Sequence, residues 1–587
     1  MKEKWIEIRK GADFVQIGKK FSIDPVVARV IRNRDVIQDS EIETYLYGKR
    51  DGLHDPKQML DMEKATDIIT EKIATQKKIR IIGDYDIDGI NATYILLQGI
   101  RRLRGAVSIK IPDRIRDGYG INENLILEAK KDGIDTILTC DNGIAAITAI
   151  ACAKELGMTV VVTDHHDIPF EEVEGKRHYL RSAADAIINP HQQECTYPYK
   201  QLCGAAVAFK FIQVLYEKNN IPLEEADAFL ENAAFATIGD VVDLTGENRL
   251  LVRLGLDRLH HTKNPGMRAL ILQNKLMPEQ VKSYHVGFIL GPCMNASGRL
   301  DTAKRSLELL MAEDAGEAAG CASDLIALND SRKAMTQEQL SLAFLVIEEK
   351  HIAADKVMIV YLPDCHESLA GILAGRIRER YHHPAFVLTK SEEGIKGSGR
   401  SIECYSMYEE LTKCSDLFLK FGGHPMAAGF SLEEKNLESF IRRMNENCSL
   451  SEEDFIPQVH IDVPMPLCYL KENLVEQLDL LEPFGKGNTK PVFAARNIGV
   501  KAARVVGKNA NVLKLDLVME DQSSMAGVYF GEVEGFFSYV GEKFGETEVK
   551  KMSTGKPNAV SLSIVYYPKI NEYNGTRSLQ VVVQKYA

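Results

Sequence analysis

The chain has 587 residues, 45% of them hydrophobic and 26% charged, with a formal net charge of −11. That length exceeds what one hydrophobic core organises and implies three or four domains. The composition is that of a globular protein, and the acidic balance argues against a generally basic nucleic-acid coat while leaving room for a local basic groove.

Eleven cysteines are scattered without a CxxC pair, the usage expected of reduced thiols in a cytoplasmic protein. The N-terminal segment lacks the apolar core of a signal peptide. No run of about 18 apolar residues is available to span a membrane.

Residues 1–76 read as a charged helical scaffold packed on the domain that follows, with Asp24-Pro25 opening one helix and a second near 61–76. The next domain is expected over 77–303. Within it, strand candidates at 79–82, 107–111, 136–140, 160–163 and 186–189 alternate with amphipathic segments. This alternation predicts a parallel sheet covered on both faces. Such sheets bind ligands beyond the carboxyl ends of their strands.

The first strand runs into Gly83-Asp84-Tyr85-Asp86-Ile87-Asp88-Gly89. Three aspartates at alternate positions concentrate charge that cations would relieve. Carboxylates suit hard ions such as Mg²⁺ or Mn²⁺. The competing reading is an acidic turn with one aspartate as N-cap. Asp141-Asn142-Gly143 and Asp164-His165-His166 follow two further strands, and Ile238-Gly239-Asp240-Val241-Val242-Asp243 closes the region. Each alone passes for a turn or a cap. Together they bring to one sheet edge the Asp/His set that a two-metal site requires.

Gly291-Pro292-Cys293-Met294-Asn295-Ala296-Ser297-Gly298-Arg299 reads by itself as a glycine-punctuated loop. Residues 304–354 read as one long connecting helix, and 355–450 as a smaller α/β lobe. In that lobe Lys396-Gly397-Ser398-Gly399-Arg400-Ser401 offers amides, hydroxyls and a guanidinium to a phosphate. Phe421-Gly422-Gly423-His424 presents flexible glycines and an imidazole ahead of what reads as a small-residue helix. His366 is a further candidate contact. From 457 to 587, strand-like runs and the turn pair Asn574-Gly575 predict an OB-like β-barrel. Its lysines and aromatics suit single-strand binding, whereas Glu532, Glu534 and Glu542 suit a protein partner.

The three acidic motifs resemble those of the DHH phosphoesterase family, named for a triplet such as Asp164-His165-His166, and the chain as a whole resembles its RecJ branch of single-strand-specific exonucleases. Supporting matches are 111–114, 117–120, Asn189-Pro190, 202–205, the 291–299 segment, the GGHxxAAG pattern at 422–429 and the connector at 481–488. The resemblance implies a two-lobed α/β protein with a DHH-associated second domain. It implies Asp84, Asp86, Asp141, His165 and Asp240 as ligands of two divalent ions, Mn²⁺ or Mg²⁺, with Asp141 bridging. Asp164 and Asp88 would stand behind these ligands, and His166 would face the scissile phosphate. Asn295, Arg299, Ser398, Arg400, Ser401, Gly422, Gly423 and His424 would bind substrate.

Two departures from the family pattern matter. Asp243 stands where proline is usual, which makes it a rival to Asp240. Cys293 stands where arginine is usual, which removes a positive contact. The implied activity is hydrolysis of single-stranded DNA, 5′→3′, in repair and recombination. The implied partners are single-strand-binding protein and a RecQ-type helicase. The alternatives are a phosphodiesterase for short oligoribonucleotides or cyclic dinucleotides, and a non-catalytic single-strand-binding replication factor.

Overall fold

The computed structural model describes residues 3–113, 117, 120–173, 176–391, 394–507, 510–519, 521–573 and 575–587. Arg114, Gly118, Tyr119 and Asn574 of the motifs above lie outside the described residues.

Strand β1 (Lys4–Glu7) opens the chain, and helices Phe14–Phe21, Pro25–Asn33, Asp39–Tyr47 and Met62–Ala74 follow. Asp24 caps the second of these through the amide of Val26, with Pro25 at its first turn. The N-terminal helices pack on the domain that follows, as expected, but also on the far end of the chain. Val27, Ile31, Ile42 and Leu46 share an apolar core with the C-terminal barrel, whereas Met62–Ala74 enters the core of the neighbouring sheet domain and Asp39–Tyr47 meets that domain where Arg249 and Arg253 donate to the Tyr45 and Leu46 carbonyls. The first strand is the reason: β1 pairs in parallel with β14 (Gln458–Ile461), drawing the start of the chain to the far end. A buried Arg34–Asp462 ion pair at 2.6 Å fixes the same junction.

The central sheet contains β2 (Ile79–Ile82), β3 (Val107–Lys110), β4 (Thr136–Cys140), β5 (Thr159–Thr163) and, after the exposed hairpin β6 (Phe170–Val173) and β7 (Lys176–Tyr179), β8 (Ala186–Ile188). Its order is β3-β2-β4-β5-β8, and every pairing is parallel. The strands β2 and β4 are buried along their whole length, which is why they read as unbroken apolar runs.

The helical run after residue 303 is not continuous. Helix Lys304–Met311 ends, and a 35-residue helix, Ala315–Glu349, starts where Asp314 accepts from the amides of Gly316 and Glu317. The second lobe then builds β9 (Met358–Tyr361), helix Glu367–Tyr381, β10 (Ala385–Ser391), β11 (Gly394–Arg400), β12 (Phe418–His424) and β13 (Ala427–Leu432), ordered β12-β13-β11-β10-β9. The segment after Gly422-Gly423-His424 is thus a strand, not a helix. Gly423 has φ +149, and a β-carbon there would lie 2.5 Å from the carbonyl oxygen of Ala427, so the tight hairpin excludes other residues.

Past β15 (Val463–Pro464), strands β16 (Phe493–Val506), β17 (Val512–Val518), β18 (Ser524–Phe530), β19 (Ser561–Tyr573) and β20 (Thr576–Tyr586) close a five-stranded barrel, since β16 pairs with both β17 and β19.

Helix Leu230–Gly239, which ends at the site described next, carries the buried Glu231. Burial raises its carboxyl to about 7, although the Thr262 hydroxyl, 3.1 Å away, and the Arg258 charge both lower it. The folded chain therefore binds this proton more tightly than the unfolded chain and loses relative stability as pH rises from about 4.5 to 7. Glu231→Gln should stabilise the fold at pH 8 by roughly 1–3 kcal/mol, and the gain should vanish at pH 4. Thermal denaturation at both values checks this; a gain independent of pH would contradict it.

Candidate metal centre

Three strand ends and one helix end converge. Asp84 and Asp86 follow β2, Asp141 follows β4, Asp164, His165 and His166 follow β5, and Asp240 ends helix Leu230–Gly239. Their ligand atoms form three groups, each within 4.8 Å: Asp84, Asp86 and Asp141; Asp141, His165 and His166; Asp88, His165 and Asp240. Asp141 and His165 each belong to two groups. Asp240 is thus in the cluster, whereas Asp243 lies 3.3 Å from the Lys486 ammonium, outside the three groups.

The backbone is shaped to permit this crowding. Asp141 has φ +59 and Gly143 φ +113, so it is the aspartate itself, not Asn142, that takes the left-handed conformation. A β-carbon on Gly143 would meet the Thr139 hydroxyl at 2.7 Å, and one on Gly204 would meet the Asp141 β-carbon at 2.6 Å. Val241, next to Asp240, sits at φ +60, an outlier for a β-branched residue of the kind that clusters at functional sites.

Two aspartates also serve helix starts. Asp86 accepts from the amides of Asp88 and Gly89, so the N-cap reading and cluster membership both hold for it. Asp88 is fully buried and accepts from the amides of Gly204 and Ala205 at 2.6 and 2.7 Å, which explains the Leu202-Cys203-Gly204-Ala205 match. Asp164 accepts at one oxygen from the His165 and His166 amides and pairs at 2.7 Å with His166 Nδ1, while its other oxygen accepts from Ile144.

The electrostatics mark an anion-rich site. Burial, then the neighbouring aspartates, raise Asp86 and push Asp141 well up. Burial, Asp88 and Asp86 push Asp240 to about 8. Burial would raise Asp164 too, but its bond to His166 and the imidazole charges bring it below the usual range. Burial would lower His166, yet the bond and charge of Asp164 lift it to about 9. Burial lowers His165 despite the charge of Asp88. An oxygen-rich set with one or two imidazoles, short of positive charge, fits Mn²⁺ or Mg²⁺.

The second lobe supplies the opposite charge. A cavity of about 450 Å³ is lined by Arg299, Lys396, Ser398, Arg400 and Lys420, with Glu367 beside Lys396. Gly371 leaves space for Arg400, since a β-carbon there would come within 3.0 Å of the guanidinium. Arg299 crosses between lobes to the Ser368 carbonyl at 3.0 Å, and His424 Nδ1 lies 3.8 Å from an Asp167 oxygen of the first lobe.

Several expected contacts fall elsewhere. Ser401 is 1% exposed and donates to the Tyr405 carbonyl, so it supports the loop after β11 rather than lining the cavity. Asn295 accepts from the Ile87 amide at 2.9 Å and so clamps the first acidic motif. Its segment is helix Gly291–Leu300, not a loop. His366 caps helix Glu367–Tyr381 and bonds the Ser368 hydroxyl. Cys293 is buried, and the Asn329 amide lies 3.4 Å from its sulfur, while the Arg332 guanidinium bonds Asn329 Oδ1 at 3.0 Å. An arginine of the long helix thus stands one side chain away from the position that lacks one.

A carboxylate–imidazole cluster on a parallel-sheet edge, with guanidinium and ammonium groups on a second lobe, defines a two-lobed phosphoesterase of the DHH class. Family models agree: the DHH family N-terminal domain matches residues 78–236, the DHHA1 domain 354–450 and the RecJ OB domain 461–585. The chain is 34% identical over 591 residues to the single-stranded-DNA-specific exonuclease RecJ of Bacillus subtilis, covering 99% of this chain and 70% of that protein. It is 30% identical to the protein of the same name from Escherichia coli, covering 96% and 95%.

The chain belongs to the RecJ family. A crystal structure of RecJ with Mn²⁺ from Thermus thermophilus shares the fold, with a TM-score of 0.80 at 24% identity over 100% of this chain and 79% of that one. A manganese-bound exonuclease RecJ is 30% identical, with a TM-score of 0.57 over 68% of this chain and 96% of that one. Among the described residues no helix is long and apolar enough to cross a membrane.

The geometry separates the two fourth-motif candidates. Asp240→Asn should weaken Mn²⁺ binding, read by calorimetry, by about tenfold or more, and Asp243→Asn should change it less than about threefold. The reverse order would move the ligand to Asp243.

Proposed function

We propose that the chain is a metal-dependent exonuclease that hydrolyses the phosphodiester bonds of single-stranded DNA, 5′→3′, in cytoplasmic repair and recombination. The observation that carries this reading is the Asp/His cluster opposite a basic cavity, in a chain that aligns with RecJ exonucleases over nearly its whole length. That alignment, barrel included, disfavours the small-substrate phosphodiesterase, and the complete Asp/His set disfavours the silent replication factor.

Asp84, Asp86, Asp141, His165 and Asp240 would hold two divalent ions, with Asp141 and His165 placed to serve more than one group. Bound there, the ions supply Lewis-acid stabilisation of phosphoryl charge and lower the pKa of water. Asp88 and Asp164 hold the surrounding backbone and the His166 ring in place. Arg299, reaching across from the first lobe, and Ser398 and Arg400 of the second lobe bind phosphate oxygens, and His424 with Gly422 and Gly423 covers the substrate from the hairpin. Single-strand-binding protein and a RecQ-type helicase are the partners this reading implies.

The test is digestion of end-labelled single-stranded DNA, duplex DNA and short RNA with Mn²⁺. Nucleotides should be released from the 5′ end of the single strand; preferential cleavage of RNA dinucleotides would overturn the reading. Asp141→Ala should lower turnover at least about a thousandfold, as expected when several kcal/mol of charge stabilisation are removed. Near-normal turnover by this variant in Mn²⁺ would contradict the assignment.

The second lobe makes a separable prediction. Arg400→Ala and His424→Ala should each lower kcat/KM about 10- to 100-fold, the effect of one lost charge-assisted hydrogen bond, while calorimetry shows Mn²⁺ bound as in the parent. Loss of metal in either variant would place these residues among the ligands instead.

A further inference from the structure

The connector ahead of the barrel presents a lysine on a rigid turn. Gly485 and Asn488 bond each other antiparallel, amide to carbonyl in both directions at 2.9 and 3.2 Å, so Lys486 and Gly487 form the apex of a two-residue turn. Gly487 has φ +73, which glycine adopts without strain. Asn488 is 2% exposed and holds the turn from behind. Its amide donates to the Leu481 and Pro483 carbonyls, and its oxygen accepts from the Tyr45 hydroxyl.

The apex meets the loop that follows Asp240. The Leu244 amide donates to the Lys486 carbonyl at 2.8 Å, and a β-carbon on Gly487 would lie 2.9 Å from the Thr245 methyl and 3.2 Å from the Asp243 β-carbon. The Lys486 ammonium stands 3.3 Å from an Asp243 oxygen, while the Asp243 carbonyl accepts from the Tyr199 hydroxyl and the Asn248 amide. The charge of the lysine is felt at the metal cluster. Burial, Asp88 and Asp86 raise the Asp240 carboxyl, and His166 and Lys486 act against them.

Clamping the loop does not account for this lysine. The backbone bond and the close approach of Gly487 join turn and loop without any side chain at 486, and an ion pair at the surface adds little to that. The Lys486 side chain is 60% exposed, so its ammonium, with three donors, keeps some for a further partner. Beside an anionic cluster suited to metals, the partner of matching chemistry is a phosphate.

We propose that Lys486 is a substrate-positioning residue, its ammonium holding the strand phosphate next to the one at the metals, on the 3′ side of the scissile bond. The proposal rests on the nuclease reading and adds to it a contact carried by the connector. Lys396, Arg400 and Lys420 reach the cleft from the second lobe, whereas Lys486 comes from the connector, so a strand at the cluster meets positive charge from two bodies. Asp243 holds the long side chain in reach beforehand, which reduces the rotamer freedom lost when a phosphate binds.

The experiment follows release of the first nucleotide from a single-stranded oligonucleotide in Mn²⁺ by the full chain, by Lys486→Ala and by Lys486→Arg. It is repeated with one phosphate at a time replaced by a neutral methylphosphonate. Lys486→Ala should raise KM about tenfold or more, the effect of one lost charge-assisted contact, with kcat within about threefold. The log–log salt dependence of binding should flatten by about one, and Lys486→Arg should recover most of the loss. In the parent, neutralising the phosphate next to the scissile one on its 3′ side should cost a similar factor; in Lys486→Ala the same substitution should cost nothing further. Mn²⁺ binding by calorimetry should match the parent in both variants, a readout that a displaced Asp240 loop would move.

Unchanged KM and salt slope in Lys486→Ala would overturn the proposal. So would a methylphosphonate penalty equal in parent and variant at every position, or loss of Mn²⁺ from Lys486→Ala, since either makes the lysine a clamp of the Asp240 loop. Cleavage by the parent separates the two failures. If the parent cleaves the single strand and Lys486→Ala behaves as the parent does, only this proposal falls; if the parent does not cleave it, the nuclease reading falls and this proposal with it.

Discussion

Like charges held out of water are the constraint that the rest of this structure answers. Asp84, Asp88 and Asp141 are almost entirely buried at one sheet edge, with Asp86 and Asp240 beside them. Burial and mutual repulsion raise the proton affinity of Asp86, Asp141 and Asp240, so the site favours whatever positive charge it can obtain. Helix N-termini meet part of this demand. Asp86 sits at the start of Ile87–Arg102, and Asp88 binds the first amides of Gly204–Lys218, where the peptide dipoles point their positive ends. The remaining demand is what makes the pocket suited to divalent cations, not to a single protonated side chain.

The barrel and N-terminal helices are fixed to this centre by buried polar links, not tethered loosely. Arg249 lies 3.8 Å from the Tyr45 ring centroid and donates to the carbonyls of Tyr45, Leu480 and Leu481, joining scaffold, sheet domain and connector at one side chain. Lys210 and Glu247, both fully buried, pair at 2.7 Å and hold the His54 backbone from both sides. Such pairs add little net stability over apolar packing, but losing one partner strands the other charge. Their consequence here is positional: the connector at 481–488 has a fixed place against Asp243 and Leu244, which its Lys486 meets through the ammonium and the carbonyl.

The parallel sheet was legible because its strands are short apolar runs bounded by turns, and the aspartates because they follow those runs. The cluster could be assembled from sequence since strand ends of one parallel sheet share an edge. What stayed hidden was decided by distant pairing. Nothing near residue 4 announces a partner at 458, so the N-terminal segment read as a scaffold for its sequence neighbour. The small residues after His424 fit a helix locally, but the β11 and β12 ladders take them as a strand. Ser401 looked like part of a phosphate cradle because loop and strand end are alike in sequence; burial separates it from Ser398. The hairpin β6–β7 was missed for want of an apolar alternation, being exposed on both faces.

Helix Gly291–Leu300 shows how far one segment can couple the two walls of the cleft. A β-carbon at Gly298 would lie 2.3 Å from the Tyr85 carbonyl oxygen, and one at Gly291 would lie 3.2 Å from Ile87, so both glycines let this helix press against the first acidic motif. Asn295 then satisfies the Ile87 amide at the start of the next helix. One residue past Gly298, Arg299 reaches the second lobe at Ser368 and lines the basic cavity. On the opposite face Cys293 packs against Asn329 of the 35-residue helix that carries the second lobe. This one helix therefore touches the metal loop, the inter-lobe helix and the phosphate-facing cavity at once. The glycines, asparagine and arginine of the motif are thus spaced by contacts to three different bodies, which a reading of the segment as an isolated loop could not supply.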